Sequence, residues 1–250
     1  MILIIAKHEL KTLFLSPLAW VILGVVQTLL GFIFIAQVEN FLMLQPQLAM
    51  LRNTPGVTDI VIASLFQISA IILLTVMPLV TMRSIAEEKR NRTLSLLMSS
   101  PISMSEIVLG KFLGLLGFVV ILVSLLMLMP LSLFSGTSLD GGKLTSIFIA
   151  MLLLLSAFAA IGLYLSSLTE NQTIAAVSTF GVLLMLWIVD ATLADSHSVV
   201  AYLSLLRHHQ NLLDGIIDSA DIVYYLLQQL SILWLHFSQG RSHILVFTAL

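Results

Sequence analysis

The sequence predicts an all-α membrane protein with six transmembrane helices. Three observations carry that prediction. First, 59% of the 250 residues are hydrophobic and only 10% are charged, whereas a soluble domain carries roughly 25% charged residues. So little charge cannot cover a water-facing surface. Second, apolar runs of about 20 residues recur, the length that crosses about 30 Å of hydrocarbon. The runs are continuously apolar rather than alternating, which selects helices over barrel strands. Third, charge is concentrated between two such runs, at Glu87, Glu88, Lys89, Arg90 and Arg92. A charged island of this kind must lie in water at a membrane surface. One transmembrane domain spanning 1–250 is expected.

Residues 1–15 read as an amphipathic helix. Leu3, Ala6, Leu10, Leu13 and Phe14 share one face, and Lys7, His8 and Lys11 share the other. Such a helix lies in the interface plane rather than crossing it. Ser16-Pro17 marks a break and a new helix start. The first span is expected over 17–38. No basic region or small-residue cleavage site surrounds it, so it is expected to stay in place. Residues 39–56, with Pro46, Arg52, Asn53 and Pro55, read as an exposed connection with room for a short helix. The second span follows over 57–82, with Pro78 near its end as a possible kink point.

The segment 83–103 comes next. Its first part, 83–98, has the pattern of a helix. Glu88 and Arg92 are spaced i,i+4 and Glu87 and Arg90 i,i+3, spacings that support ion pairs on a helix face. Leu94, Leu97 and Met98 form a small apolar face, and Pro101 ends the segment. Ser103 and Glu106 then fit a capping box. It opens the third span, 104–134. Lys111 lies about a turn into this span and is expected to snorkel to the headgroups. Gly110, Gly114 and Gly117 suit close helix packing.

A glycine-rich turn at 135–142 leads to the fourth span, 143–168. A polar loop at 169–172 precedes the fifth, 173–193. Residues 199–218 are mixed, with Arg207, His208, His209, Asp214 and Asp218. The last span, 221–237, is the most polar, since it carries Gln228 and Gln229. Six spans put both ends on one side. Lys7, Lys11, Arg83, Lys89, Arg90, Arg92, Lys111 and Arg241 outnumber Arg52, Lys143 and Arg207, which places the charged island and both termini in the cytoplasm.

Several chemistries are excluded. A net charge of −2 gives no footprint for nucleic acid, and without cysteine there are no disulfides or thiolate metal sites. His208 and His209 could approach a metal with Asp214, but adjacent histidines point to different helix faces. No metal site is expected. The eleven methionines are scattered, as packing residues are. Asp190 reads as a solvated helix end. Gly110-Lys111 is not a phosphate loop, because Ser105 stands where the first glycine should be and Phe112 where the hydroxyl should be. Glu87-Glu88 with Arg92 matches the Glu-Glu-x-x-x-Arg pattern of CAAX-type intramembrane proteases. No histidine stands at the further positions such an enzyme needs. The island itself could be only a topogenic loop. Its acids, its apolar face and the capped helix after it favour a structured docking element.

Residues 87–111, Glu-Glu-Lys-Arg-x-x-Thr-Leu-x-Leu-Leu-x-x-x-Pro-Ile-Ser-x-x-Glu-Ile-Val-x-Gly-Lys, resemble the segment after the second span in ABC-2 type transporter permeases. Lys7-His-Glu-Leu-Lys11 with Phe14-Leu-Ser-Pro17 is similar to that family's N-terminal interfacial helix. Residues 205–225, with Arg207-His-His and Gly215-Ile-Ile-Asp218, resemble its gliding-motility-associated and copper-processing-type branch. The resemblance implies a six-helix permease subunit of an ATP-binding-cassette exporter in the bacterial inner membrane. It implies a second permease copy or related subunit, and it admits an auxiliary extracytoplasmic subunit. A separate ATPase would bind ATP and Mg, leaving this chain without a cofactor or enzymatic activity. The coupling helix would lie in 83–103, with Glu87, Glu88, Arg90, Arg92, Leu94, Leu97 and Met98 as ATPase contacts. Ser103, Glu106 and Lys111 would form the lever into the third span. Residues 199–218 would dip back into the membrane from outside. A non-transporting scaffold for an ATPase complex would use the same docking helix.

Overall fold

The computed structural model describes residues 1–48, 56–90, 103–136, 139–193 and 205–248. The described residues are helical apart from short connections. Helix α1 spans Ile2–Leu15 and α2 spans Pro17–Leu48. A π-helical turn, Thr58–Ile62, leads into α3, Ala63–Thr81. Helix α4 is described over Ala86–Arg90. Helix α5 spans Met104–Ser132 and closes with a 3-10 turn at Leu133–Ser135. Helix α6 spans Gly141–Leu168, α7 Gln172–Leu193, α8 Leu205–Leu213 and α9 Ser219–Thr248.

Five helical segments among the described residues are long and apolar enough to cross a membrane. They correspond to α2, the π-turn with α3 and α4, α5, α6 and α7. Helix α9 is long enough at 30 residues but is not among the five. One expected boundary moves: helix α2 continues unbroken to Leu48, through residues expected to be an exposed connection and through Pro46. Pro78 lies near the end of α3, inside the helix, within the span expected over 57–82.

The bundle is arranged around α6. It packs against α3, α5, α7, α8 and α9, and buries residues on every side, including Ile147, Met151, Leu154, Leu155 and Leu163. Small residues permit the close approaches. A Cβ at Gly162 would lie 2.2 Å from Thr81 Oγ1 of α3, so only glycine fits there.

Three serines of α6, spaced ten residues apart, pin the helix to its neighbours. Ser146 Oγ donates to the Leu212 carbonyl of α8 at 2.5 Å. Ser156 Oγ accepts from Gln229 Nε2 of α9. Ser166 Oγ donates to the Met82 carbonyl at 3.1 Å and accepts from the amides of Ile85 and Ala86 at 3.3 and 3.1 Å. Where water is scarce an unpaired polar group costs several kcal/mol, about 2–7 by transfer measurements, so these bonds fix the helices in register. Gln229 thus faces inward, 7% exposed.

At one end of the bundle, Lys143 Nζ lies 2.5 Å from Asp59 Oδ1, tying the π-turn to the start of α6. Asp140 caps α6 by accepting from the amides of Gly142 and Lys143. Near this end, Tyr225 donates its hydroxyl to the Leu205 carbonyl at 2.7 Å. His208 Nδ1 meets Asp221 Oδ1 and stacks on Tyr224, ring centroids 4.3 Å apart. Gly215, at φ 87°, supplies the left-handed turn that ends α8.

Candidate coupling site

The other end of the bundle holds the charged segment, and α1 is packed there. Its inward stripe, Ile2, Ile5, Ala6, Glu9, Leu10, Leu13 and Phe14, lies along α5. The glycines of α5 make room for it. A Cβ at Gly110 would sit 2.7 Å from Ile5 Cβ, and one at Gly114 would sit 2.7 Å from Glu9 Cβ. At Gly117 the nearest atom is Leu10 Cδ2, 3.2 Å away. Close backbone approach of this kind is how helices associate where lipid removes the hydrophobic drive. The contact departs from expectation at one residue: Leu3, assigned to the apolar face, is 77% exposed. Glu9 takes a place on the half-buried inward stripe instead.

Glu9 is there because Lys111 is opposite. The Lys111 ammonium lies 3.1 Å from Glu9 Oε2 and 2.7 Å from Glu88 Oε1. It also donates to the Ser84 carbonyl at 2.7 Å. Glu9 Oε1 accepts from the Ser84 hydroxyl at 3.1 Å. Lys111 is therefore not a snorkelling residue. It is 2% exposed, and its three donors have acceptors from two segments, Glu9 of α1 and both Ser84 and Glu88 of the charged segment. One cation between two carboxylates is a geometry in which buried charge is compensated rather than stranded.

The start of the charged segment is held from the opposite side by α6. Ser166 binds the amides of Ile85 and Ala86, as above, and Lys89 Nζ donates to the Ser167 carbonyl. Helix α4 is thus clasped between the last turn of α6 and Lys111 of α5. Arg83 Nη1 reaches Ser16 Oγ at 3.4 Å. Arg90 is exposed. Glu87 and Arg90, expected as an i,i+3 pair, form no ion pair among the described residues. Glu87 instead lines a cavity. Glu88, expected to pair with Arg92, pairs with Lys111. Arg92, Leu94, Leu97 and Met98 lie outside the described residues.

Ser103 and Glu106 form the capping box that starts α5. Ser103 Oγ accepts from the Glu106 amide at 3.3 Å, and the Ser103 amide donates to Glu106 Oε2 at 3.2 Å. The rigid start of α5 and the Lys111 cluster are two helical turns apart.

Residues missed by sequence reasoning are Glu9, Ser84, Ser166 and Ser167. A signal existed for Glu9: it lies four and three residues after Ile5 and Ala6 on one helix face. The other three are isolated hydroxyl residues with no distinctive spacing. Among the described residues, no group of three or more His, Asp or Glu side chains could hold a metal.

These features define a multi-pass helical membrane protein whose charged segment between two spans is wired into the bundle by buried ion pairs and hydrogen bonds. Residues 3–233 match the family model described as ABC-2 family transporter protein. The chain belongs to that family, and it is accordingly the membrane permease component of an ABC transporter. A comparison with curated proteins finds no match.

Proposed function

We propose that the chain is one pore-forming half of an ABC exporter, driven by a separate ATPase that binds ATP and Mg. In this reading α9 is the sixth span, both termini face the cytoplasm of a bacterial cell, and a second permease subunit completes the pore. The ATPase docks on the segment 84–100. Arg90 and the residues that follow it make the contact, and Glu88 carries the motion inward. The observation that supports this reading is Lys111, which joins Glu88 of the docking segment to α5 and to Glu9 of α1. Closure of two ATPases would displace the segment and tilt the helices attached to it, changing the population of a two-state pore.

The test is reconstitution of the permease with its ATPase. Deletion of 87–98 is expected to abolish ATP-dependent substrate flux. Flux that survives the deletion overturns the coupling role. A separate measurement addresses docking. Arg90→Glu is expected to weaken co-purification of the ATPase from detergent while the permease still inserts. Glu88→Lys is expected to weaken it too, but through the bundle, because it sets a like charge against Lys111. Binding of the ATPase without any flux across the membrane would convert the reading to a scaffold.

A further inference from the structure

We infer that the cavity beside the coupling site is a seat for a phospholipid whose headgroup carries a phosphate and a primary ammonium, as in phosphatidylethanolamine. This goes beyond the transport reading and needs only that the bundle be membrane-embedded. The cavity, of about 420 Å³, opens between α1, α2, α3 and the charged segment. That volume falls in the range of small-ligand sites, about 300–1,000 Å³.

Its lining is divided. Ala19, Ile22 and Val80 give it an apolar depth, while Arg83 and Glu87 stand four residues apart along one wall. The other charges there, Glu9, Glu88 and Lys111, are engaged with one another. Arg83 and Glu87 are not. Arg83 Nε is buried without an acceptor among the described residues, and the bond from Arg83 Nη1 to Ser16 is long at 3.4 Å. No cation of the described residues forms an ion pair with Glu87. Among the described residues the wall therefore presents one cation and one anion, neither with a counter-charge.

A zwitterionic headgroup complements that pair. Its phosphate accepts from the Arg83 guanidinium, a geometry that arginine favours over lysine. Its ammonium donates to the Glu87 carboxylate, and the first methylenes of an acyl chain meet Ala19, Ile22 and Val80, the rest of the lipid lying outside the cavity. An anionic headgroup such as phosphatidylglycerol would satisfy Arg83 but offer Glu87 no cation. A choline headgroup would bring a cation with no N–H to donate.

Native mass spectrometry of the full chain, purified in detergent and offered phosphatidylethanolamine, phosphatidylglycerol and phosphatidylcholine in equal amounts, tests this. Wild type is expected to retain phosphatidylethanolamine about tenfold over the other two, the difference made by one charge-assisted hydrogen bond. Arg83→Gln is expected to lower retention of all three. Glu87→Gln is expected to abolish the preference over phosphatidylglycerol. Ala19→Phe, which fills the apolar depth, is expected to reduce retention with both charges in place, and so decides the matter if Arg83→Gln does not fold. Equal retention of the three lipids by wild type overturns the proposal. So does a preference unchanged in Glu87→Gln, or retention unaffected by Ala19→Phe. None of these readouts involves the ATPase, so failure here leaves the transport reading standing, and failure of that reading leaves the lipid seat standing.

Discussion

Lys111 and Glu9 stand 102 positions apart in the chain and 3.1 Å apart in space. The pair makes α1 part of the bundle rather than a helix resting on its surface. It also puts a single cation, almost fully buried, at the meeting point of the N-terminal helix, the charged segment and the third span. Everything expected of the coupling site depends on that cation being present and compensated.

Lys111→Met removes it while keeping most of the side-chain volume. Glu9 and Glu88 then face one another without a counter-charge. Breaking a buried pair by removing one partner costs about 3–5 kcal/mol. Thermal unfolding of the detergent-purified protein is expected to shift down accordingly. Adding Glu9→Gln to Lys111→Met is expected to recover part of the loss, because one stranded carboxylate is gone. A double variant no more stable than Lys111→Met would mean that Glu9 contributes nothing through charge.

Gly114→Leu tests the seat of α1. The added side chain meets Glu9 Cβ and the Ala6 carbonyl, and overpacking of this kind costs about 1–3 kcal/mol. The cost is expected as separation of α1 rather than collapse of the whole bundle. Trypsin is then expected to cut at Lys7 and Lys11 about tenfold faster, since cleavage follows the population of the open form. An unchanged rate would show that α1 does not rely on the glycine groove.

Tyr225→Phe addresses the opposite end. It keeps the buried ring and deletes the hydroxyl that donates to Leu205. Loss of this buried hydrogen bond is expected to cost about 0.5–1.5 kcal/mol, read as a lower unfolding temperature. The loss should be local to α8 and α9, so ATPase co-purification is expected to be unaffected.

Ser103→Ala removes half of the capping box. A serine cap contributes about 1 kcal/mol. Hydrogen exchange at the Glu106 amide is expected to rise about fivefold, with the amides beyond Lys111 unchanged. Uniform exchange before and after the change would mean the cap does not hold this helix start.

The helices were legible in the sequence because the signals for them are local. Continuous apolar runs, the capping box and the glycine spacing each lie within a few residues. What these elements touch was not local. Gly110 and Gly114 announced a close neighbour, but nothing in α5 said that the neighbour is α1. Glu9 was assigned to neither face of the interfacial helix, because its partner lies in a different span. Lys111 read as snorkelling for the same reason: one cation near a helix end looks alike whether it reaches for headgroups or for carboxylates. Ser146, Ser156 and Ser166 look like ordinary small residues of an apolar helix until their acceptors on other segments are known. The continuation of α2 to Leu48 was missed because Pro46, with Arg52, Asn53 and Pro55 beyond it, suggested a connection, although Pro46 sits inside the helix.

The glycines and Lys111 share one helix, and that sets a ruler. Each residue added to α5 between Lys111 and Gly114 would turn one side of it against the other by about 100°. One insertion would set Gly110 and Lys111 out of line with Gly114 and Gly117, so that α1 could not meet both at once. Insertion of a whole turn would restore the direction but part them by about 5.4 Å along the axis. The spacing between Lys111 and Gly114 is therefore fixed to the residue.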